Sequence, residues 1–483
     1  MQKDKRNNIP IIYIGLAAMF LGRFFPWPAP ISPSQGQLLS IFLGVLLLWM
    51  KVAIDWPSLL LLVALATLPE LSFPAVLVSS FGSNTFVFLL FTFTLSYALS
   101  QTDLLKRIAC FFLQCSWAHR GPWHFVFLYF LSILLIGAFI SPTVLFFVYY
   151  PLLEEIYILC GLQKGEKATS MLMMGTVLMC GISSGITPIA HVFPLLAISL
   201  YETAQVTTLS YFYYMKIALP VGLLTAMIIF LAFRYYFRKD VQKLQQQKLI
   251  DLPKRKLTKE EKIILAVFAS TVFFWVAPDP LSHLPFGHHW QTFFHSVAHF
   301  GTAMPPLLAT VFLCAFSYRG KALLNLKEAL AKGVSWPSLW MCAGTLALGS
   351  ALRSETIGFN VLISEQISSY IGSLPALWMV FFFCLWAGIQ TNLASNMVTV
   401  SLVSNALLGV YSHQQNLVLP LLISLVGMLS SFSFATPPAM PCVAVATASG
   451  YTNPRSMFLW GFLATGIAVV LSVLFYFLFS SFI

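Results

Sequence analysis

The sequence predicts an all-α polytopic membrane protein of about 11 transmembrane helices plus two re-entrant hairpins, arranged as two inverted repeats. Three observations carry this fold class. Of 483 residues, 58% are hydrophobic and 9% charged, too little polar surface to coat a soluble body of that size. Apolar stretches of about 17–25 residues, the length that crosses a hydrocarbon core, recur along the whole chain. Three apolar segments of the first half also have counterparts in the second, in the same order.

Taken in order, the apolar runs lie near 9–25, 37–54, 57–69, 84–101, 125–153, 171–200, 211–235, 263–277, 294–317, 334–352, 374–411, 417–449 and 457–482. The runs 125–153 and 374–411 are too long for one straight crossing and read as hairpins or broken helices. Such breaks are tolerated in lipid only where the loosened backbone is buried in protein or lines a cavity. The chain divides into N-terminal helices (1–56), a first repeat (57–235), a basic loop (236–262) and a second repeat (263–483). The N-terminus lacks a short apolar core ending in a small-residue cleavage site, so the first apolar stretch is expected to remain as a span.

The net charge of +11 sits mostly in loops. Lys3, Lys5 and Arg6 open the chain, and the stretch from Arg238 through Lys254, Arg255 and Lys256 to Lys262 is strongly basic. The positive-inside rule places the N-terminus and the 236–262 loop in the cytoplasm, with the protein in the plasma (inner) membrane. The loop has no interleaved aromatics, so no nucleic-acid partner is expected.

The eight cysteines form no Cys-x-x-Cys pair and read as small buried hydrophobes. His283, His288, His289, His295 and His299 contain one i,i+4 pair but no supporting Cys or Glu-x-x-His pattern, so no metal site is assigned. Glu154 and Glu155 read as an interfacial pair, and Arg353, at the end of an apolar run, as a snorkelling side chain. Ser83-Asn84-Thr85 precedes a long apolar run and reads as a helix N-cap.

The repeat pairs are FLLFTFTLSYALSQTDLLKRI from Phe88 with WMCAGTLALGSALRSETIGFNVLI from Trp340, FISPTVLFFVYYPLLEEI from Phe139 with LASNMVTVSLVSNALLGV from Leu393, and MCGISSGITPIAHVFPLL from Met179 with LSSFSFATPPAMPCVAVA from Leu429. All three share an offset of about 250 residues, and interrupted apolar segments at matching places in two halves point to a transporter's midplane binding site.

The same segments carry a family resemblance. GAFISPT at 137–143 and TNLASNM at 391–397 resemble the two Ser-Asn-Thr hairpin signatures of the divalent anion:sodium symporters, a family of dicarboxylate, citrate and sulfate transporters. SSGITPI at 183–189 and FATPPAM at 434–440 resemble its two unwound Thr-Pro segments, and the Leu104-Leu-Lys-Arg-Ile108 turn extends the match. The resemblance runs from about residue 40 to the C-terminus. It implies a homodimer built from scaffold and transport subdomains, moving by an elevator mechanism.

In physical terms, proline at a hairpin tip ends the helix. Ser141 and Thr143 then offer hydroxyls, and Pro142 opens the following half-helix, whose N-terminal dipole favours an anion. In the second tip Thr391, Ser395 and Asn396 play the same part, the Asn396 amide being able to donate to a carboxylate. Two facing tips suit the two ends of a dianion, so the expected partner is a small C4 or C5 dicarboxylate such as 2-oxoglutarate, succinate or malate. Thr187, His191, Met397, Thr436, Pro437 and Pro438 complete the expected substrate site.

The departures from the family pattern bear on coupling. Where the family's first tip uses a Ser and an Asn to help hold sodium, this chain has Gly137 and Pro142, so of that site only Gly137 and Ser141 remain as places for a cation. The second tip keeps Thr391, Ser395 and Asn396 but has Met397 in place of a final Thr. His191 stands where the family pattern has part of a Thr-Pro-Pro-Asn stretch, and as an imidazolium it would supply the charge that sodium supplies elsewhere; as a neutral ring it would simply bond a helix carbonyl. A fixed charge makes the empty carrier reluctant to recross, which favours sodium-independent exchange over sodium symport. Sodium itself stays open, and no other cofactor is expected. No nucleotide-binding Gly-x-x-x-x-Gly-Lys motif and no His-Glu-x-x-His motif is present, so neither an ATP-driven pump nor a metalloprotease is expected; a channel would call for pore rings instead of paired hairpins.

Overall fold

The computed structural model describes residues 9–102, 104–205, 207–246, 258–282, 288–358, 375–393, 395–411, 417–437 and 439–480. Lys3, Lys5 and Arg6, the centre of the basic loop, His283 and Pro438 lie outside the described residues.

The described chain is almost entirely helical. Helices α1 (Ile9–Leu21) and α2 (Pro33–Lys51) pack against each other, and α2 starts in a capping box in which Ser32 and Gln35 satisfy each other's backbone N–H groups. The first repeat follows as α3 (Trp56–Leu65), α4 (Phe73–Ser80), α5 (Asn84–Ser100), α6 (Leu104–Leu113), α7 (Pro122–Gly137), α8 (Pro142–Leu159), α9 (Lys167–Ile186), α10 (Val192–Gln205) and α11 (Tyr211–Tyr236). Between α4 and α5 the chain bends by 46°, and Ser83 caps α5 by accepting from the Phe86 N–H at 3.2 Å, the N-cap role its sequence suggested.

The second half contains α12 (Lys259–Val276), α13 (Pro278–Ser282), α14 (His288–His299), α15 (Met304–Ala315) and α16 (Leu326–Glu328), which runs into a π-helical turn at Ala329–Gly333. It continues as α17 (Trp336–Leu352), α18 (Ala376–Leu393), α19 (Asn396–Tyr411), α20 (Leu419–Ser431), α21 (Pro441–Ala448) and α22 (Pro454–Ser480). Among the described residues of the whole chain, six helices (α2, α8, α9, α11, α18 and α22) are long and apolar enough to cross a membrane alone, and α4 with α5 makes a seventh, bent span. The chain is a multi-pass membrane protein.

Three differences from the sequence expectation have local causes. The apolar run 294–317 is split into α14 and α15 at Gly301, whose φ of 78° ends the first helix. The all-α rule is broken by a minimal hairpin, β1 (Ser317–Tyr318) and β2 (Lys321–Ala322), turned by the positive φ of Arg319 and Gly320. The long runs 171–200 and 417–449 are each two helices, interrupted before His191 and before Pro441.

The repeat order survives in three dimensions. The paired segments at Phe88 and Trp340 form α5 and α17, those at Phe139 and Leu393 form the turns after α7 and α18, and those at Met179 and Leu429 form the interruptions after α9 and α20. Helices α5 and α17 run antiparallel: Gly333, just before α17, lies against Tyr97 near the end of α5, while Trp340 stacks 6.5 Å from Phe86 near its start. That reversal is what an inverted repeat requires.

The half-helices leave the interruptions in opposite directions. Helix α8 ends beside the loop after α21, with Tyr157 and Tyr451 rings 4.6 Å apart, and α6 packs on α8. Arg107 of α6 reaches Glu261 at the start of α12 at 2.9 Å, so this face also carries the end of the basic loop. Helices α10 and α19 instead run toward the other face, where Leu200 and Asn405 both abut Gly349 of α17.

Candidate functional site

The first tip is made by residues that cannot continue a helix. Helix α7 stops at Gly137, the four residues 138–141 turn, and Pro142 at the first position of α8 supplies no N–H. Ser141 is the N-cap but its side chain makes no capping bond, which leaves the hydroxyl for the adjoining cavity. Gly137 is required by contact with α9: a Cβ there would lie 2.1 Å from the Ser183 hydroxyl. It serves packing, and its missing side chain is filled by Ser183.

The first interruption is tied to this tip. The Thr187 hydroxyl donates to the Ala138 carbonyl in a very short bond and also accepts from the Ile189 N–H at 3.3 Å. Thr187, expected to contact substrate, is committed to the fold here. His191 is half-buried; its Nδ1 accepts from the Val192 N–H at 3.0 Å and its ring stacks on Phe193 with centroids 4.0 Å apart. Accepting at Nδ1 makes the ring neutral in this state, with Nε2 carrying the proton, so the imidazolium form expected as a charge substitute requires that bond to be given up.

The second tip is a denser network. Thr391 donates to the Ser430 carbonyl at 2.6 Å, and the Thr436 hydroxyl donates to the Asn392 carbonyl. The Asn392 amide donates to Gly388 and Phe432 carbonyls, both at 2.9 Å, and to Thr465 at 3.1 Å, while its oxygen accepts from the Ala435 N–H at 2.8 Å. With its amide oriented by its hydrogen-bond partners, Asn396 accepts from Ser433 at 2.5 Å and donates to the Thr391 and Ala439 carbonyls at 3.1 and 3.2 Å. The amide expected to greet a carboxylate is spent inside the tip in this state. Ser395 is half-buried, with its carbonyl accepting from the Thr399 N–H at 2.9 Å; Met397 is buried and Pro437 exposed.

The first tip and α9 meet the second interruption across the repeats. The Cys442 thiol at the start of α21 lies 3.6 Å from the Pro142 carbonyl, and the Phe434 ring occupies the space over Gly181 of α9. Behind the second interruption, α22 passes so close that a Cβ on Gly461 would sit 2.4 Å from the Ala435 Cα.

A cavity of about 470 Å³ opens beside the first tip, within the usual range for a small-molecule site. Ser141, Thr143 and His191 line one wall; Tyr97 and Ser100 of α5, with Lys332 and Ser338, line the other. Thus Ser141, Thr143 and His191 are brought together as expected, whereas buried Thr391 and Asn396 and half-buried Thr436 belong to a separate hydrogen-bonded cluster. Sequence reasoning missed Lys332, Tyr97 and Asn392. Lys332 lies outside the three paired segments read from the sequence, and only Asn392, inside the TNLASNM signature, carried a signal.

Lys332 is the cation at this cavity. It pairs with Glu328 at 2.6 Å across one helical turn, which holds the Glu328 carboxyl below the usual carboxylate range and the Lys332 ammonium above the usual lysine range. A second cavity of about 510 Å³, between α12, α14 and α15, is walled by Phe274, Phe293, Phe300 and Phe312 and, among the described residues, offers a dianion no charge partner.

The arrangement at the tips can be set beside known proteins. The citrate transporter family model matches residues 44–426. A sodium-dependent dicarboxylate transporter, SdcS, of Staphylococcus saprophyticus is 24% identical over 464 residues, covering 92% of this chain and 86% of that protein. An uncharacterized transporter of Methanocaldococcus jannaschii is 25% identical over 335 residues, 68% of each chain. Among solved structures, the YdaH transporter of Alcanivorax borkumensis shares the fold with a TM-score of 0.58 at 12% identity, over 85% of this chain and 88% of that one. With the family match spanning most of the chain, and with both hairpin tips inside it, this protein belongs to the citrate transporter family.

Proposed function

We propose that the protein exchanges C4 or C5 dicarboxylates, such as 2-oxoglutarate, succinate or malate, across the plasma membrane without sodium. The observation that carries this is the first tip. Ser141 and Thr143 face a cavity with a lysine and a histidine, yet the side-chain oxygens a sodium ion would need at Gly137 and Pro142 are absent, and Ser183 fills the space at Gly137. A dianion entering that cavity favours protonation of His191, which lies at the interruption beside the tip and would travel with it. Lys332 belongs to the segment before α17 and would stay behind, drawing the anion in.

Movement of the tips as an elevator against a stationary scaffold, in a homodimer with the basic loop in the cytoplasm, completes the reading. The antiparallel α5–α17 pair and the opposite courses of α8 and α19 support it. A sodium-coupled symporter is the second reading, favoured by the oxygens of Thr391, Ser395 and Asn396 in the second tip.

Uptake of labelled 2-oxoglutarate and succinate into proteoliposomes decides between them, with an inward sodium gradient and internal unlabelled dicarboxylate varied independently. Uptake that requires internal substrate and ignores sodium is expected. Sodium-driven uptake into empty vesicles would establish the symporter.

A further inference from the structure

The open side of the molecule and its closed counterpart can be compared residue by residue, because the repeats align. Tyr97 pairs with Gly349 and Thr143 with Met397 in the aligned segments. Tyr97 and Thr143 share the open cavity, whereas Gly349 is packed against Leu200 and Asn405, and Met397 is buried. The two interfaces are therefore in opposite states, one open and one sealed.

At the sealed interface lies a cation without a hydrogen-bond partner among the described residues. One turn beyond Gly349, Arg353 turns its side chain back so that Nη1 lies 3.4 Å from where a Gly349 Cβ would be, with the Asn405 oxygen 3.3 Å from the same point. Both terminal nitrogens of Arg353 are buried and have no hydrogen-bond partner among the described residues; the hydroxyls of Ser401 and Ser404 on α19 are likewise buried and unpartnered. The snorkelling expected from the sequence does not occur here. A guanidinium withdrawn from water and left unpaired is costly, so it is expected to find its partner in another state.

Repeat symmetry says which state. Eight residues of α19 separate Met397 from Asn405. Sliding α19 by that length, about 12 Å at the helical rise, brings Met397 and the second tip opposite Gly349, as Thr143 now stands opposite Tyr97. The sealed interface then becomes a cavity lined at Gly349, and Arg353 reaches it because its side chain folds back to that residue, not through its repeat counterpart Gln101, which lies outside the open cavity's lining. A guanidinium fork suits a carboxylate in two-point geometry.

We propose that Arg353 binds a substrate carboxylate at the mouth opposite Arg107 and Glu261, in the state in which that mouth is open. The inference rests on the dicarboxylate-transport reading for its ligand, but not for the opening itself. It makes the two mouths chemically unlike, with Lys332 at one and Arg353 at the other.

Two measurements in sealed proteoliposomes of known orientation test it. Arg353→Cys and Asn405→Cys, with the eight native cysteines replaced, are exposed to a membrane-impermeant thiol reagent from either side. Labelling from the face opposite Arg107, slowed by saturating succinate, is expected. Absence of labelling at both positions in a chain that transports overturns the opening. Separately, Arg353→Gln is expected to raise the KM for succinate about tenfold at that face only, with Arg353→Lys intermediate. An equal change at both faces, or none, overturns the carboxylate contact. If Arg353→Gln fails to fold, Arg353→Lys and the Asn405→Cys labelling decide. Should the wild type move no dicarboxylate at all, the transport reading fails, while the labelling, which needs no substrate, still judges the opening.

Discussion

The Asn392 side chain clasps the second interruption at two points: its oxygen accepts from the Ala435 N–H at 2.8 Å and its nitrogen donates to the Phe432 carbonyl at 2.9 Å. Backbone that has left its helix must find partners when water is excluded, and one buried amide supplies both a donor and an acceptor. Asn392→Leu therefore leaves two buried backbone groups unpaired and is expected to cost about 2–5 kcal/mol. A fall in melting temperature of the detergent-solubilised protein, larger than for Asn396→Leu at the same expression level, is the check.

Thr187 performs a smaller version of this at the first tip, through its bond to the Ala138 carbonyl. Thr187→Val keeps the shape and removes the donor, so the tip loses its tie to the interruption at a cost of about 1–3 kcal/mol. Initial uptake rates should fall, and Thr187→Ser should restore them. Equal rates in all three proteins would show that the bond has no part in holding the tip.

Lys332 and Glu328 predict opposite effects on affinity. Removing the ammonium in Lys332→Gln raises the KM for a dianion and weakens its salt dependence, while Glu328→Gln releases the ammonium from its pair and lowers the KM. Titrating KM against ionic strength separates this from a packing defect, which would not respond to salt.

The pH dependence belongs elsewhere. The pair raises Lys332 and lowers Glu328 from their usual values, so both stay charged throughout the neutral range and contribute no titration there. Any gain in uptake on the acid side is assigned to His191, whose ring must give up its bond from the Val192 N–H to be protonated. The change should vanish in His191→Gln and persist in Lys332→Gln.

Gly137 is set by the close approach of α7 to α9. Gly137→Ala forces a methyl group onto Ser183 and Leu145 and is expected to destabilise by about 1–3 kcal/mol, read as a lowered melting temperature.

Much of this was legible in the residues alone. Membrane class, the approximate spans, the repeat order and the positions of both tips follow from apolar length and from Pro142, Thr187, Pro437 and their neighbours, because helix length and helix breaking are local properties of a chain in lipid. What each polar group does was decided only in three dimensions. Thr187 and Asn396 have the right chemistry for a substrate but bond the chain's own backbone in this state, Lys332 reaches the cavity from outside the paired segments, and the terminal nitrogens of Arg353 are buried where a helix end suggested snorkelling. Those outcomes depend on which helices cross at which residue. A buried donor takes whichever acceptor the packing brings within about 3 Å, and sequence spacing does not carry that distance.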